Sequence, residues 1–186
     1  MMLQNAGIDL SAMQFVSWYL DIEPMVIREE GLYGPDPAQS YAGNPYSKRL
    51  GWGCFAPVIV SGLEQALADT PYQALDLSGM DLDHIVHTYV ARSYPVAVWV
   101  VRNMREKEEC YEWLSYDGAS TYQYPRSQHC LLLVGHDALF YYFYDPDNVV
   151  KSVVRYEKSR VERSYASMGA QAVVIVPRGE RQPAAG

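Results

Sequence analysis

Three residue types that cooperate in nucleophilic chemistry lie far apart in this chain: Cys54, His129 and Asp145. Cys54 sits in "LGWGCFAPVIVSGLEQAL", where a glycine turn meets an amphipathic segment. A thiol at a helix start faces the positive end of the macrodipole, which favours thiolate. Its backbone N–H is placed to donate to a developing oxyanion. Gly53 permits backbone angles that let chain or substrate come close. A thiol nucleophile needs a base, and the base needs an orienting partner. His129 opens "HCLLLVGHDALFYYFYDPD", which reads as two strands joined by a tight turn, and Asp145 lies near its end.

The hairpin register decides whether those two meet. With Asp137 at the centre of a three-residue loop, His136–Ala138, Gly135 faces Leu139, Leu133 faces Tyr141, Leu131 faces Phe143 and His129 faces Asp145. Directly opposed Cβ atoms are ~5 Å apart, within reach of an imidazole–carboxylate hydrogen bond. A slip of one residue sets Tyr144 opposite His129 and turns Asp145 to the other face. The aspartate would fix the ring tautomer and stabilise the imidazolium, leaving the other nitrogen for the thiol.

Taken singly, a lone cysteine is more often a small buried hydrophobe, and a histidine in an apolar strand a core residue. Their joint occurrence carries the chemical reading. Cys130 alternates to the face opposite His129 and reads as core. Cys110, after the charged "REKEE" run, reads as a surface or packing residue. His84 and His87 are spaced to share a metal on a helix, but no third ligand accompanies them. His136 and Asp137 read as turn residues. Asp147 competes with Asp145 for His129 but lies beyond a proline and further along.

The elements that must position these residues follow from pattern. "MQFVSWYLDI" has helical apolar spacing, with Pro24 as its stop. Residues 29–53 hold three prolines and five glycines with no sustained period. They read as a long ordered loop of the kind that lines a site. A helix is expected from Cys54 to about Asp69, with Pro57 tolerated in its first turn. Another runs over "DLDHIVHTYVAR" with Asp81 as N-cap. "YPVAVWVVRN" reads as a strand buried on both faces, "YEWLSY" as another, and "NVVKSVVRY" continues the sheet. "EKSRVERSYASMG" is a helix closed by Gly169, and "AQAVVIVP" is the last strand. Helices lead and an antiparallel sheet follows, an α+β arrangement.

Bulk properties narrow the function. The 186 residues suit one domain, and 49% hydrophobic content supplies a core. A net charge of −7 without a Lys/Arg cluster argues against nucleic-acid binding. The 16 tyrosines fit β-rich packing or a peptide groove. Three scattered cysteines make no disulfide framework, and the absence of a Cys-x-x-Cys pair argues against structural zinc. The first ten residues lack the basic start of a signal peptide, and no stretch reaches a membrane span; the compartment stays open, cytoplasmic only from the sequence as given.

The order Cys, His, Asp, with the cysteine on a helix and the pair on a sheet, resembles the papain-like cysteine peptidases. More narrowly, the chain resembles stand-alone relatives of the double-glycine leader peptidases, peptidase family C39. "GWGCFAPVIVSGLEQAL" resembles their nucleophile helix and "SYPVAVWVV" their central strand. "HCLLLVGHD" with "YYFYDPD" resembles their His and Asp strands, and "MGAQAVVI" their closing segment. The resemblance spans roughly residues 24–176. It implies a papain-like α+β fold, Cys54 as nucleophile, His129 as general base and acid, Asp145 as orienting residue, and no metal or organic cofactor. It implies a peptide or protein substrate, with small residues before the cut, and relatives of this kind are often exported. Two departures stand out. Arg28 occupies the place of the family's oxyanion glutamine, which leaves Gln39, Asn44 or another loop residue as candidate substitutes. Ser93 replaces a glycine before the central strand.

The organisation expected is a helical extension over 1–23, a peptidase domain over 24–177 and a polar, loose tail over 178–186. The reaction expected is peptide-bond cleavage through an acyl-enzyme. The rivals are a transglutaminase- or transpeptidase-like acyl transferase and a non-catalytic peptide-binding or regulatory module of the same fold.

Overall fold

The computed structural model describes residues 1–47, 49–107, 109–147 and 153–180. Two helices, α1 (Met2–Asn5) and α2 (Ala12–Tyr19), precede five short strands: β1 (Ile22–Glu23), β2 (Val26–Arg28), β3 (Gly31–Tyr33), β4 (Tyr41–Gly43) and β5 (Gly51–Gly53). Then come α3 (Ala56–Ala66), β6 (Tyr72–Asp76), α4 (Leu82–Thr88) and β7 (Val96–Val101). The chain continues through β8 (Cys110–Leu114), β9 (Thr121–Pro125), β10 (Gln128–His136), β11 (Phe140–Tyr144), β12 (Val153–Glu157), α5 (Lys158–Ser167) and β13 (Ala172–Pro177).

The main sheet has the order β12-β11-β10-β7-β13-β6, with antiparallel neighbours throughout. All six residues of β7 are buried, as expected of a strand covered on both faces. Val96, Val98 and Val100 join Leu131 and Leu133 in a core with Ile85 of α4 and Val161 of α5. Ala97, Trp99 and Val101 face the other way, into a core with Leu63 and Leu67 from the α3 side and Ile175 of β13. Burying a leucine as completely as Leu133, at 0% exposure, contributes roughly 1.5–3 kcal/mol. This α+β architecture agrees with the expected fold class.

Two expectations about local structure need correction. The nucleophile helix begins at Ala56 with Phe55 as N-cap, so Cys54 lies just outside it. The Phe55 side chain makes no cap bond; instead the Ala56 N–H donates to Gln171 Oε1 at 2.8 Å. Pro57 sits in the first turn, where its missing N–H leaves no helical bond unmade. The long loop also contains β3, β4 and β5, which pair in two small sheets of orders β1-β4-β5 and β2-β3-β8-β9. Strands of three residues are too short for a sequence period to reveal.

The hairpin register also differs. Its tip is Ala138 and Leu139, because the Asp137 N–H donates to Phe140 O and Asp137 Oδ1 accepts from both Leu139 N and Phe140 N. His136 pairs with Tyr141 and Gly135 with Tyr142, but Leu133 pairs with Phe143 and Leu132 with Tyr144. One extra residue, Val134, is therefore bulged out of β10. Without it, Tyr144 rather than Asp145 would share a face with His129. The bulge restores the parity that the three-residue loop was expected to supply.

Elsewhere the helix expected over 81–92 stops at Thr88 and passes into a 3-10 turn, Val90–Arg92. Ser93 then adopts φ 63°, a left-handed conformation, in the turn before β7. Gly169, at φ 80°, follows the C-cap of α5. The Asn148 start of the expected β12 region lies outside the described residues. Residues 178 and 180 are tied down: Arg178 donates to the carbonyls of Leu67 and Thr70, and Arg92 pairs with Glu180.

Candidate active site

His129 and Asp145 come together. His129 Nε2 lies 2.8 Å from Asp145 Oδ1, with side chains 11% and 18% exposed. A carboxylate only accepts, so Nε2 carries the proton and Nδ1 is the nitrogen left for another group. The strand pairing places Asp145 level with Leu131, a diagonal neighbour of His129 on the same face rather than its direct partner. Asp145 Oδ1 also accepts from the Asp147 N–H at 2.9 Å, which fixes the carboxylate. Asp147 itself pairs with Arg102 at 2.7 Å. Ligand atoms of His129, Asp145 and Asp147 lie within 4.8 Å of one another, the one such trio among the described residues.

Cys54 is held beside the same strand by its backbone. Its carbonyl accepts from Trp99 Nε1 and from Gln128 Nε2, each at 3.1 Å. Gln128 directly precedes His129, so the nucleophile segment is stitched to the first turn of the pleat that carries the imidazole. The strand alternates here: His129 pairs with Val100, whereas Cys130 pairs with Trp99. The Cys54 carbonyl is thus anchored on the Trp99 face, and no hydrogen bond joins Cys54 Sγ to His129 among the described residues.

Burial sets the state of the thiol. Cys54 is 6% exposed, and its pKa is pushed up to about 12, first by desolvation and then by the neighbouring Cys130. The expectation that a helix terminus favours thiolate is overturned for the free chain. Cys54 lies before the N-cap, outside the first turn where the macrodipole acts, and desolvation favours the neutral form. Cys130 is also pushed up to about 12 by burial; expected as core, it is half-buried and packs against the cluster that holds Trp99.

Arg28 does not address this site. Its guanidinium lies 4.2 Å over the Tyr33 ring and donates to Tyr116 O at 2.9 Å. Gln39 contacts Asp36, and Asn44 accepts from Tyr46 N. The residues that do surround Cys54 come from elsewhere: Gln128, Tyr41 and Tyr124. No upstream sequence pattern marks them, because β4, β9 and β10 deliver them from three separate segments. Gly53, at φ 131°, shows the positive angle expected of it, and a Cβ there would stand 1.9 Å from the Tyr124 hydroxyl. Asp137 lies at the turn as expected, but His136, expected there too, is the last residue of β10 and pairs with Tyr141, while His87 Nδ1 lies 2.7 Å from its own helix's Asp83 carbonyl. A cavity of about 830 Å³ opens beside Asp145, walled by Leu132, Val134, Tyr144 and Pro95.

An imidazole–carboxylate pair on an antiparallel sheet, with a cysteine ahead of a helix packed on that sheet, defines a papain-like arrangement. The model of the Peptidase_C39 like family matches residues 1–173, and the chain belongs to that family. A crystal structure from Bacillus anthracis described as a C39-like peptidase has the same fold, with a TM-score of 0.79 and 23% identity over 96% of this chain and 86% of that one. No curated protein sequence matches the chain.

Proposed function

We propose that the protein is a cysteine peptidase in which Cys54 is the nucleophile, His129 the base and acid, and Asp145 the orienting group. The observation that carries this reading is the 2.8 Å His129–Asp145 pair, on a strand whose preceding residue, Gln128, bonds the Cys54 carbonyl. Because the free thiol is neutral, His129 Nδ1 takes its proton as the sulfur attacks, rather than from a resting ion pair. The two groups are not bonded in the free chain, and catalytic hydrogen bonds of substrate-free sites are often long or poorly aligned and tighten in the complex. The S–C bond forms, the amide C–N bond breaks with the proton delivered to the leaving amine, and water then releases the acyl group. The apolar cavity beside Asp145 suits a side chain of an extended peptide.

A second reading is a non-catalytic peptide-binding module of the same fold. The buried, neutral thiol without an imidazole partner favours it. The two are separated by incubating the wild-type chain and Cys54→Ala with a mixed peptide library, with and without added glycinamide, and reading products by mass. Cleavage by wild type that disappears in Cys54→Ala supports the peptidase, and glycinamide adducts identify an acyl transferase. Undiminished cleavage by Cys54→Ala removes the nucleophile assignment, and binding without cleavage establishes the module.

A further inference from the structure

The place of the expected oxyanion glutamine is taken by an arginine engaged elsewhere, so a side-chain donor to the oxyanion has to come from another element. Tyr124 of β9 meets the requirements. Its ring is 2% exposed and fixed by stacking on Phe55, with centroids 5.4 Å apart, and by a tilted contact with Trp113 at 5.9 Å. Its hydroxyl lies against the Gly53 backbone, in the space a side chain at that position would fill. That puts the O–H next to the peptide link joining Gly53 to Cys54. The hydroxyl takes part in no hydrogen bond among the described residues, and it is not one of the sealed orphan atoms such as Tyr89 Oη and Gln128 Oε1. An unused donor beside a nucleophile, held rigidly, is the arrangement that stabilises developing charge without reorganising.

We propose that the Tyr124 hydroxyl donates to the oxyanion formed when Cys54 attacks a carbonyl, beside the Cys54 backbone N–H. The inference rests on the assignment of Cys54 as nucleophile. As the S–C bond forms, the carbonyl π pair moves onto oxygen and the thiol proton passes to His129. Tyr124 keeps its own proton and only shares it with the new oxyanion. Burial and the nearby Cys54 raise the phenol's pKa well above its usual value, so the group is a neutral donor throughout the physiological range. Gly53 is then explained twice: its φ of 131° favours glycine, and its missing Cβ clears the place of the hydroxyl.

The test compares two reactions of the same sulfur in the full chain. Acylation by p-nitrophenyl acetate passes through a tetrahedral oxyanion, whereas alkylation by iodoacetamide does not. Tyr124→Phe should slow acylation by about 10²-fold, the usual cost of one oxyanion donor, and leave alkylation of Cys54 unchanged. Equal acylation rates in Tyr124→Phe and wild type overturn the proposal. A parallel fall in both rates also overturns it, because Tyr124 would then act only on the thiol's position. Cys54→Ala is run alongside, and the acetyl group is located by mass on the tryptic peptides, so that the free thiols Cys110 and Cys130 do not enter the rate: acetyl that never settles on Cys54 in the wild type rejects the nucleophile assignment, a failure distinct from that of Tyr124. Should Tyr124→Phe not fold, Tyr124→Leu removes the same hydroxyl without touching the Gly53 backbone and is read by the same pair of rates.

Discussion

The resting state of Cys54 offers the sharpest test of the physical reasoning. At pH 7.5 a thiol with a pKa of about 12 is ionised to about 3 parts in 10⁵, against about one part in ten for an ordinary cysteine near 8.5. Alkylation of Cys54 by iodoacetamide should therefore run about 10³-fold slower than that of free cysteine. It should also rise tenfold per pH unit from pH 7 to 10 with no plateau, since only the thiolate reacts. The three cysteines fall on separate tryptic peptides, so mass spectrometry reads Cys54 without interference from Cys110 or Cys130. The same burial has a stability consequence with a definite sign. The unfolded thiol releases its proton near pH 8.5–9 and the folded thiol near 12, so in that window the folded chain binds more protons and loses stability as pH rises. Melting temperatures at pH 8 and 10 check this, with Cys54→Ala losing less than wild type. A plateau in Cys54 labelling below pH 8.5 would refute the argument, because it would mean that the free chain already holds a thiolate.

Two further substitutions address the pair and the missing glutamine. Asp145→Asn should lower turnover, or p-nitrophenyl acetate acylation, by 10²-fold or more, through loss of the ring tautomer that frees Nδ1; unchanged rates would show that Asp145 does not orient His129. Arg28→Gln should leave the acylation rate unchanged, because position 28 points to Tyr33 and Tyr116, and should alter stability by no more than about 1 kcal/mol for an exposed cation–π contact; a clear gain in rate would show that position 28 reaches the oxyanion.

Local pattern alone located the major elements. The run of valines around Trp99 reads as a doubly buried strand because burial on both faces removes alternation, and β7 is buried throughout. The helical spacing after Pro57 identifies α3, because the apolar stripe repeats with the turn of the helix. The pairing of His129 with Asp145 was legible as well, but through the wrong register. A two-residue tip and a bulge at Val134 together return the parity that a three-residue loop would give. Bulges cost one residue and leave no mark in composition, so only the assembled sheet reveals them. The neutral thiol was likewise beyond sequence reasoning. A macrodipole can be read from a helix start, but desolvation depends on how the folded chain covers the sulfur, and the neighbour that adds to the shift, Cys130, comes from a strand far along the chain. Residue type and spacing thus determined which groups this chain has for chemistry and which elements carry them. Tertiary packing decided their charge, their partners and the donor set around Cys54, because those depend on distances between segments that the order of residues does not encode locally.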